Sequence, residues 1–234
     1  MNIKYFSRTE IAIWSVSVVL IVLSYLLFKS GEILTLAASL IGVTSLILNA
    51  KGNPLGQVLV IIFSLLYGII SFTFAYYGEM ITYLGMTAPM AVIALISWLR
   101  HPYNGNRSEV GICCVKRRDY PIIILLTIAV TVAFYFILAA LDTANLLPST
   151  ISVTTSFLAV LLTYKRSPAF ALAYAANDIV LIVLWSIASF SDTSYISVVV
   201  CFLCFLINDI YGYINWRCIQ RRQQSGGNAA KVAA

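Results

Sequence analysis

Eight stretches of this chain stay apolar for close to the length that spans a bilayer, and that fact decides its fold class. They run over residues 11–28, 33–49, 55–77, 80–98, 121–141, 150–164, 169–190 and 195–216. A hydrocarbon core about 30 Å thick takes roughly twenty residues of helix. Because hydrocarbon supplies no hydrogen-bond partner, each crossing must pair its own backbone, which a helix does. Composition agrees: 61% of residues are hydrophobic and 10% charged, against roughly 25% charged in soluble domains. The sequence therefore predicts an all-α integral membrane protein. The first run is longer than a leader's apolar region and no small-x-small site follows Phe28, so it is read as a retained helix.

Charge placement tests the count. With eight crossings, the N-terminus, alternate loops and C-terminus share one side. Of the 15 lysines and arginines, all but Lys29 fall on that side, from Lys4 and Arg8 to Arg222 and Lys231. The opposite loops hold Glu32, Glu79, Asp142 and Asp192. Basic residues collect on the cytoplasmic side, so both termini are expected in the cytoplasm of a cell that holds the protein in its inner membrane. The net charge of +6 then reports topology and gives no reason to expect nucleic acid. Trp98 and Trp216, at the ends of the fourth and eighth runs, read as interfacial anchors. The tail after Ser225 reads as disordered.

Punctuation repeats along the chain. Lys51-Gly52-Asn53-Pro54 closes the second run and Lys165-Arg166-Ser167-Pro168 the sixth, 114 positions later; Trp98 and Trp216 are 118 apart. This layout predicts two parallel three-helix bundles, 33–99 and 150–216, joined by a loop and linker helix over 100–149. An extra N-terminal helix occupies 1–32 and a cytoplasmic tail 217–234. The odd helix count of each bundle explains the linker, which restores parallel orientation.

Polar residues inside the runs fall into stripes at helical spacing. One joins Gln57, Ser64, Tyr67 and Ser71, and a second joins Tyr174, Asn177, Asp178 and Trp185. A third joins Cys201, Cys204, Asn208, Tyr211 and Asn215, with Asp209 at its edge; Thr82, Tyr83 and Thr87 add to them, beside a kink expected at Pro89. Ionisable groups at membrane depth are costly and mark functional sites by default. The candidate substrate-binding residues are Gln57, Ser64, Tyr67, Tyr83, Asn177, Asp178, Trp185, Asn208, Asp209 and Tyr211. Asp178 and Asp209 admit two roles, setting the charge of the site or bracing helices. With no lysine or arginine inside any run, a phosphate would find no counter-charge. Amides suit hydroxyls and carboxamides, and aromatic faces suit a flat, cationic ring.

Catalysis finds no support. The one histidine, His101, lies in a loop, and Cys201-x-x-Cys204 sits in an apolar helix with no second ligand pair. No metal, cofactor or catalytic residue is expected.

Several segments together resemble the PnuC family of nicotinamide riboside transporters: Leu46-Ile47-Leu48-Asn49-Ala50-Lys51-Gly52-Asn53, Tyr77-Gly78-Glu79-Met80-Ile81-Thr82-Tyr83, Ala175-Ala176-Asn177-Asp178-Ile179-Val180-Leu181 with Trp185, and Ile207-Asn208-Asp209 through Asn215-Trp216. The resemblance implies a relative of SWEET proteins with a 3+1+3 core. It also implies uptake of nicotinamide riboside by facilitated diffusion and alternating access, with a cytoplasmic kinase acting downstream without stable contact. An ion-coupled symporter of a related solute is the alternative. The bilayer is the expected surrounding, and a homo-oligomer is left open.

Overall fold

The computed structural model describes residues 5–28, 33–73, 77–143 and 145–232. Lys4, Lys29 and Glu32, which enter the charge count, lie outside the described residues. Helices α1 (Arg8–Phe28), α2 (Ile33–Ala50) and α3 (Leu55–Thr73) come first. The fourth crossing is composite: α4 (Tyr77–Ile81), a π-helical segment (Thr82–Thr87) and α5 (Ala88–Arg100). Then follow a hairpin of β1 (Pro102–Tyr103) and β2 (Asn106–Val110), and α6 (Tyr120–Ala140), α7 (Leu146–Tyr164), α8 (Ala169–Ser189) and α9 (Ile196–Val232). Among the described residues, eight helices are long and apolar enough to cross a membrane, as the sequence predicts.

Local chemistry accounts for several boundaries. Ser7 and Glu10 form a capping box at the start of α1: the Glu10 N–H donates to Ser7 Oγ at 3.1 Å, and the Ser7 N–H to Glu10 Oε2 at 2.7 Å. The π segment precedes Pro89, which has no N–H to give the carbonyl four residues back. The Ala88 N–H donates instead to the Tyr83 carbonyl, five back. Helix α7 begins at Leu146, ahead of the expected residue 150, because Pro148 falls in its first turn, where a missing N–H costs nothing.

The two proline turns have one geometry. Gly52 (φ +66°) and Arg166 (φ +57°) occupy the left-handed region. The Gly52 N–H reaches the Asn49 carbonyl, and the Asn53 N–H the Leu48 carbonyl. Arg166 repeats this onto Thr163, and Ser167 onto Leu162. These are the bonds of a Schellman stop.

Six crossings close into a ring: α2 packs on α3, α3 on α5, α5 on α7, α7 on α8, α8 on α9, and α9 back on α2. Helix α6 lies outside against α7, and α1 lies outside against α9 and α2. The buried face of α1 carries Glu10, Ser17, Ile21 and Ser24, a seam of mostly small polar groups that lets helices approach closely.

Three features differ from the expectations. Trp98 and Trp216 are fully buried and stacked on each other, not anchored at an interface. Trp98 lies near the end of α5 and Trp216 within α9, which continues well past it, and the two rings meet in the protein's interior. The segment after Ser225 continues α9 as helix to Val232. The stretch of α9 that leads into it is held by Gln223, whose amide donates to Glu109 and to the Val110 carbonyl, and by an Arg222–Glu109 ion pair. The loop after Arg100 contains the hairpin, turned by Asn104 and Gly105, both at positive φ, the pattern of a type I′ turn.

Candidate functional site

A cavity with about 670 Å³ of empty space, its open mouth included, lies within the ring. Gly42, Ser45 and Asn49 reach it from α2, Phe63 from α3, and Tyr83 and Thr87 from the π segment. Ser156 comes from α7, Phe170, Tyr174, Asn177 and Asp178 from α8, and Phe202, Phe205 and Asp209 from α9. Aromatic rings thus stand on four of the six ring crossings, and the two aspartates supply the only formal charges of the lining.

The polar groups are held in place from behind. The Asn177 side-chain oxygen accepts from Ser152 Oγ at 3.0 Å and Thr155 Oγ1 at 2.9 Å. Asn49 Oδ1 accepts from Gln57 Nε2 at 2.8 Å. Asp178 and Asp209 lie within hydrogen-bonding reach of each other across α8 and α9. Two buried carboxyl groups in contact attract a positive charge, whether proton, metal cation or ligand ring. Fixing both amides and pairing both carboxyls preorganises the wall before any ligand arrives.

The candidates drawn from the sequence divide into three groups. Tyr83, Asn177, Asp178 and Asp209 line the cavity. Gln57 stands one residue behind it through Asn49. Tyr67 stacks on Tyr83, with ring centroids 4.6 Å apart, and its hydroxyl donates to Glu79. Ser64 is fully buried on α3. The rest point elsewhere. Asn208 donates to Ser17 Oγ of α1 at 3.0 Å and to the Cys204 carbonyl at 2.7 Å. Tyr211 donates to Glu10 Oε1 at 3.1 Å. Trp185 packs on Tyr195 with centroids 5.2 Å apart, outside the cavity lining.

Cys204, Asn208 and Tyr211 of the third sequence stripe therefore face α1 and Asn215 faces α2, while the adjoining face of α9 (Phe202, Phe205, Asp209) meets the cavity. Sequence reasoning missed Phe63, Phe170, Phe202 and Phe205, since a phenylalanine in an apolar helix carries no mark of a site. It also missed Asn49, whose amide in the last turn of an apolar run was a usable signal.

Toward the end of the ring that carries the basic loops, Phe170 of the cavity lining packs on Trp216, with centroids 4.7 Å apart. Trp98 and Trp216 stack there, and a strap crosses over them. The Val110 N–H donates to the Gly52 carbonyl at 2.9 Å, and the Cys113 N–H to the Arg166 carbonyl at 3.0 Å. Val110 is buried, and the Ile112 N–H donates to Gln223 Oε1 at 2.8 Å.

A ring of membrane-spanning helices around an aromatic and polar cavity defines a polytopic membrane protein with an internal site. The chain belongs to the nicotinamide mononucleotide transporter family, whose model matches residues 32–218. The match begins after α1. The chain is similar to the nicotinamide riboside transporter PnuC of Neisseria mucosa, at 25% identity over 216 residues, covering 90% of this chain and 82% of that protein. Its fold also matches the crystal structure of the vitamin B3 transporter PnuC with a TM-score of 0.80. That match has 22% identity and covers 93% of this chain and 94% of the other.

Proposed function

We propose that this protein carries nicotinamide riboside across the inner membrane by facilitated diffusion, binding it in the central cavity. The observation that carries this reading is the lining itself: aromatic rings, amides and two carboxyls, with neither lysine nor arginine among the lining residues. A pyridinium cation bearing a carboxamide and a ribose fits that chemistry. Rings receive the pyridinium face, Asp178 and Asp209 meet its charge, and the Asn177 N–H bonds, turned away from Ser152 and Thr155, meet oxygen acceptors. The family description names the mononucleotide and the Neisseria mucosa relative's name the riboside. A phosphate placed beside two carboxyls without a counter-charge is repelled, which favours the riboside.

The transport cycle we propose rocks one three-helix bundle, α2 to α5, against the other, α7 to α9, with α6 as the linker. Its support is the exchange of contacts between them: α2 meets α9 and α5 meets α7, the first helix of each against the last of the other. In this scheme the basic end is cytoplasmic, and the structure corresponds to a state shut on that side. The Asp178–Asp209 contact favours a second reading, ion-coupled symport, because two adjoining carboxyls offer a cation a place to bind.

Uptake of labelled nicotinamide riboside into proteoliposomes tests both readings. Uniport predicts equilibration without accumulation, and competition by riboside but not by mononucleotide. Equal competition by the mononucleotide overturns the charge argument; accumulation that collapses with an ionophore replaces uniport by symport.

A further inference from the structure

A second chamber, with about 420 Å³ of empty space, lies toward the end of the ring opposite the basic loops. It sits between the start of the fourth crossing, the end of α6, the first half of α7 and the outer half of α8. Its chemistry differs from the central cavity: one carboxylate, Glu79, faces hydroxyls from Thr82, Thr143, Ser149, Ser152 and Ser156. The Thr143 hydroxyl is buried and has no hydrogen-bond partner among the described residues. Nothing but glycine fits opposite it, since a Cβ at Gly78 would stand 2.8 Å from Thr143 Oγ1 and 2.6 Å from Leu138. Leu138, Val153, Leu181 and Leu184 complete the lining, and a carboxylate among them at membrane depth is costly unless polar groups meet it.

The two chambers share walls. Tyr83 and Ser156 line both. Ser152 of the outer chamber donates to Asn177 of the inner one. Glu79 accepts from Tyr67, which stacks on Tyr83. Tyr83, in contact with Tyr67, thus stands in the wall between the two.

We propose that this chamber is an outer binding site for a cationic nucleoside, in which Glu79 meets the charged ring and the hydroxyls meet the ribose before the Tyr67–Tyr83 pair admits it. The proposal rests on the riboside as substrate. Capture at a charged outer site raises the local concentration of a cation and speeds its arrival. It faces one side of the membrane, so its loss raises KM from that side.

The test is uptake of nicotinamide riboside by right-side-out and inverted membrane vesicles carrying the wild-type protein or E79Q, which keeps an acceptor for Tyr67. From the Glu79 side, E79Q should raise KM at least about fivefold, a modest fraction of the interaction between unit charges in contact at a partly wet site. Vmax from that side should stay within about twofold; from the opposite side KM should not move and Vmax should fall by the factor that KM rises, since facilitated diffusion fixes one Vmax/KM ratio for both directions. The neutral 1,4-dihydro form of the riboside, used as competitor, should inhibit wild type and E79Q alike. E79D should recover most of the affinity, and T143V should raise KM from the same side by removing the hydroxyl. An unchanged KM in E79Q, or an equal change from both sides, overturns the outer site while leaving the central one standing. Wild-type vesicles that take up no riboside at all overturn the substrate reading, and the outer site falls with it. If E79Q does not reach the membrane, E79D and T143V decide between the same outcomes.

Discussion

The indole rings of Trp98 and Trp216 stack with centroids 5.4 Å apart, and each donates its N–H to the opposite half of the ring. Trp98 Nε1 reaches the Thr163 carbonyl at the end of α7, at 2.9 Å. Trp216 Nε1 reaches the Asn49 carbonyl at the end of α2, at 2.7 Å. The carbonyls they take are last-turn groups without a full set of helical partners. The same two residues, Asn49 and Thr163, also receive the N–H groups of Gly52 and Arg166 in the proline turns. One exchange of hydrogen bonds thus fixes both helix ends and the seam between the halves.

Replacing either tryptophan by phenylalanine should keep most of the packing and remove the donor. Each change removes one of two hydrogen bonds to a buried carbonyl, a cost of about 0.5–1.5 kcal/mol. Thermal unfolding of the purified protein in detergent should show a lower Tm for Trp98→Phe and for Trp216→Phe. A shift in one alone would mean that the two bonds are not equivalent.

The attachment of α1 depends on a buried ion pair. Lys51 Nζ lies 3.0 and 3.1 Å from the two carboxylate oxygens of Glu10, which also accepts from Tyr211. Glu10 is 2% exposed and Lys51 18%. Breaking such a pair from one side leaves an uncompensated charge, at about 3–5 kcal/mol, whereas replacing both partners is far cheaper. Lys51→Met should therefore lower Tm more than Lys51→Met with Glu10→Gln. A double variant as unstable as the two single changes added together would show that the pair is not coupled.

Cavity shape has its own lever at Gly42. A Cβ added there would stand 2.5 Å from Cζ of Phe205, and both residues line the cavity. Gly42→Ala should push that ring into the site and cut riboside uptake, with a packing cost of about 1–3 kcal/mol. Adding Phe205→Leu should restore part of the uptake by returning the volume. Uptake unaffected by Gly42→Ala would mean that the ligand does not use this wall.

Asn177 separates positioning from contact. Asn177→Asp keeps an oxygen to accept from Ser152 and Thr155 but removes the N–H donors. Asn177→Leu removes both. The aspartate variant should remain folded and bind riboside at least about tenfold more weakly, the effect of about 1.4 kcal/mol. Fluorescence titration with the riboside checks this, and unchanged affinity would place the amide outside the ligand's contacts.

Much of this architecture is readable from the chain. Apolar run lengths mark the crossings, and Pro89 marks the disturbed fourth one. The paired turns at Gly52 and Arg166 are announced by their prolines and basic residues. What escaped was direction. Helical spacing groups Cys204, Asn208 and Tyr211 on one face, but it does not say whether that face meets a cavity or a neighbour such as α1. Tryptophan at a helix end is ambiguous in the same way: an interface and a convergent neighbour both satisfy its N–H. The hairpin at Asn104-Gly105 had a local signal in that dipeptide, overshadowed by the charges around it.

The strap also sets a leash length. Val110 holds one turn and Cys113 the other, three residues apart, and three residues extend to no more than about 10 Å. While both bonds stand, the Gly52 and Arg166 corners can part only by whatever slack that short chain retains. In the proposed rocking cycle, opening toward the basic end begins by letting go of one corner, so the strap acts there as a fuse, and which bond yields first decides which half swings.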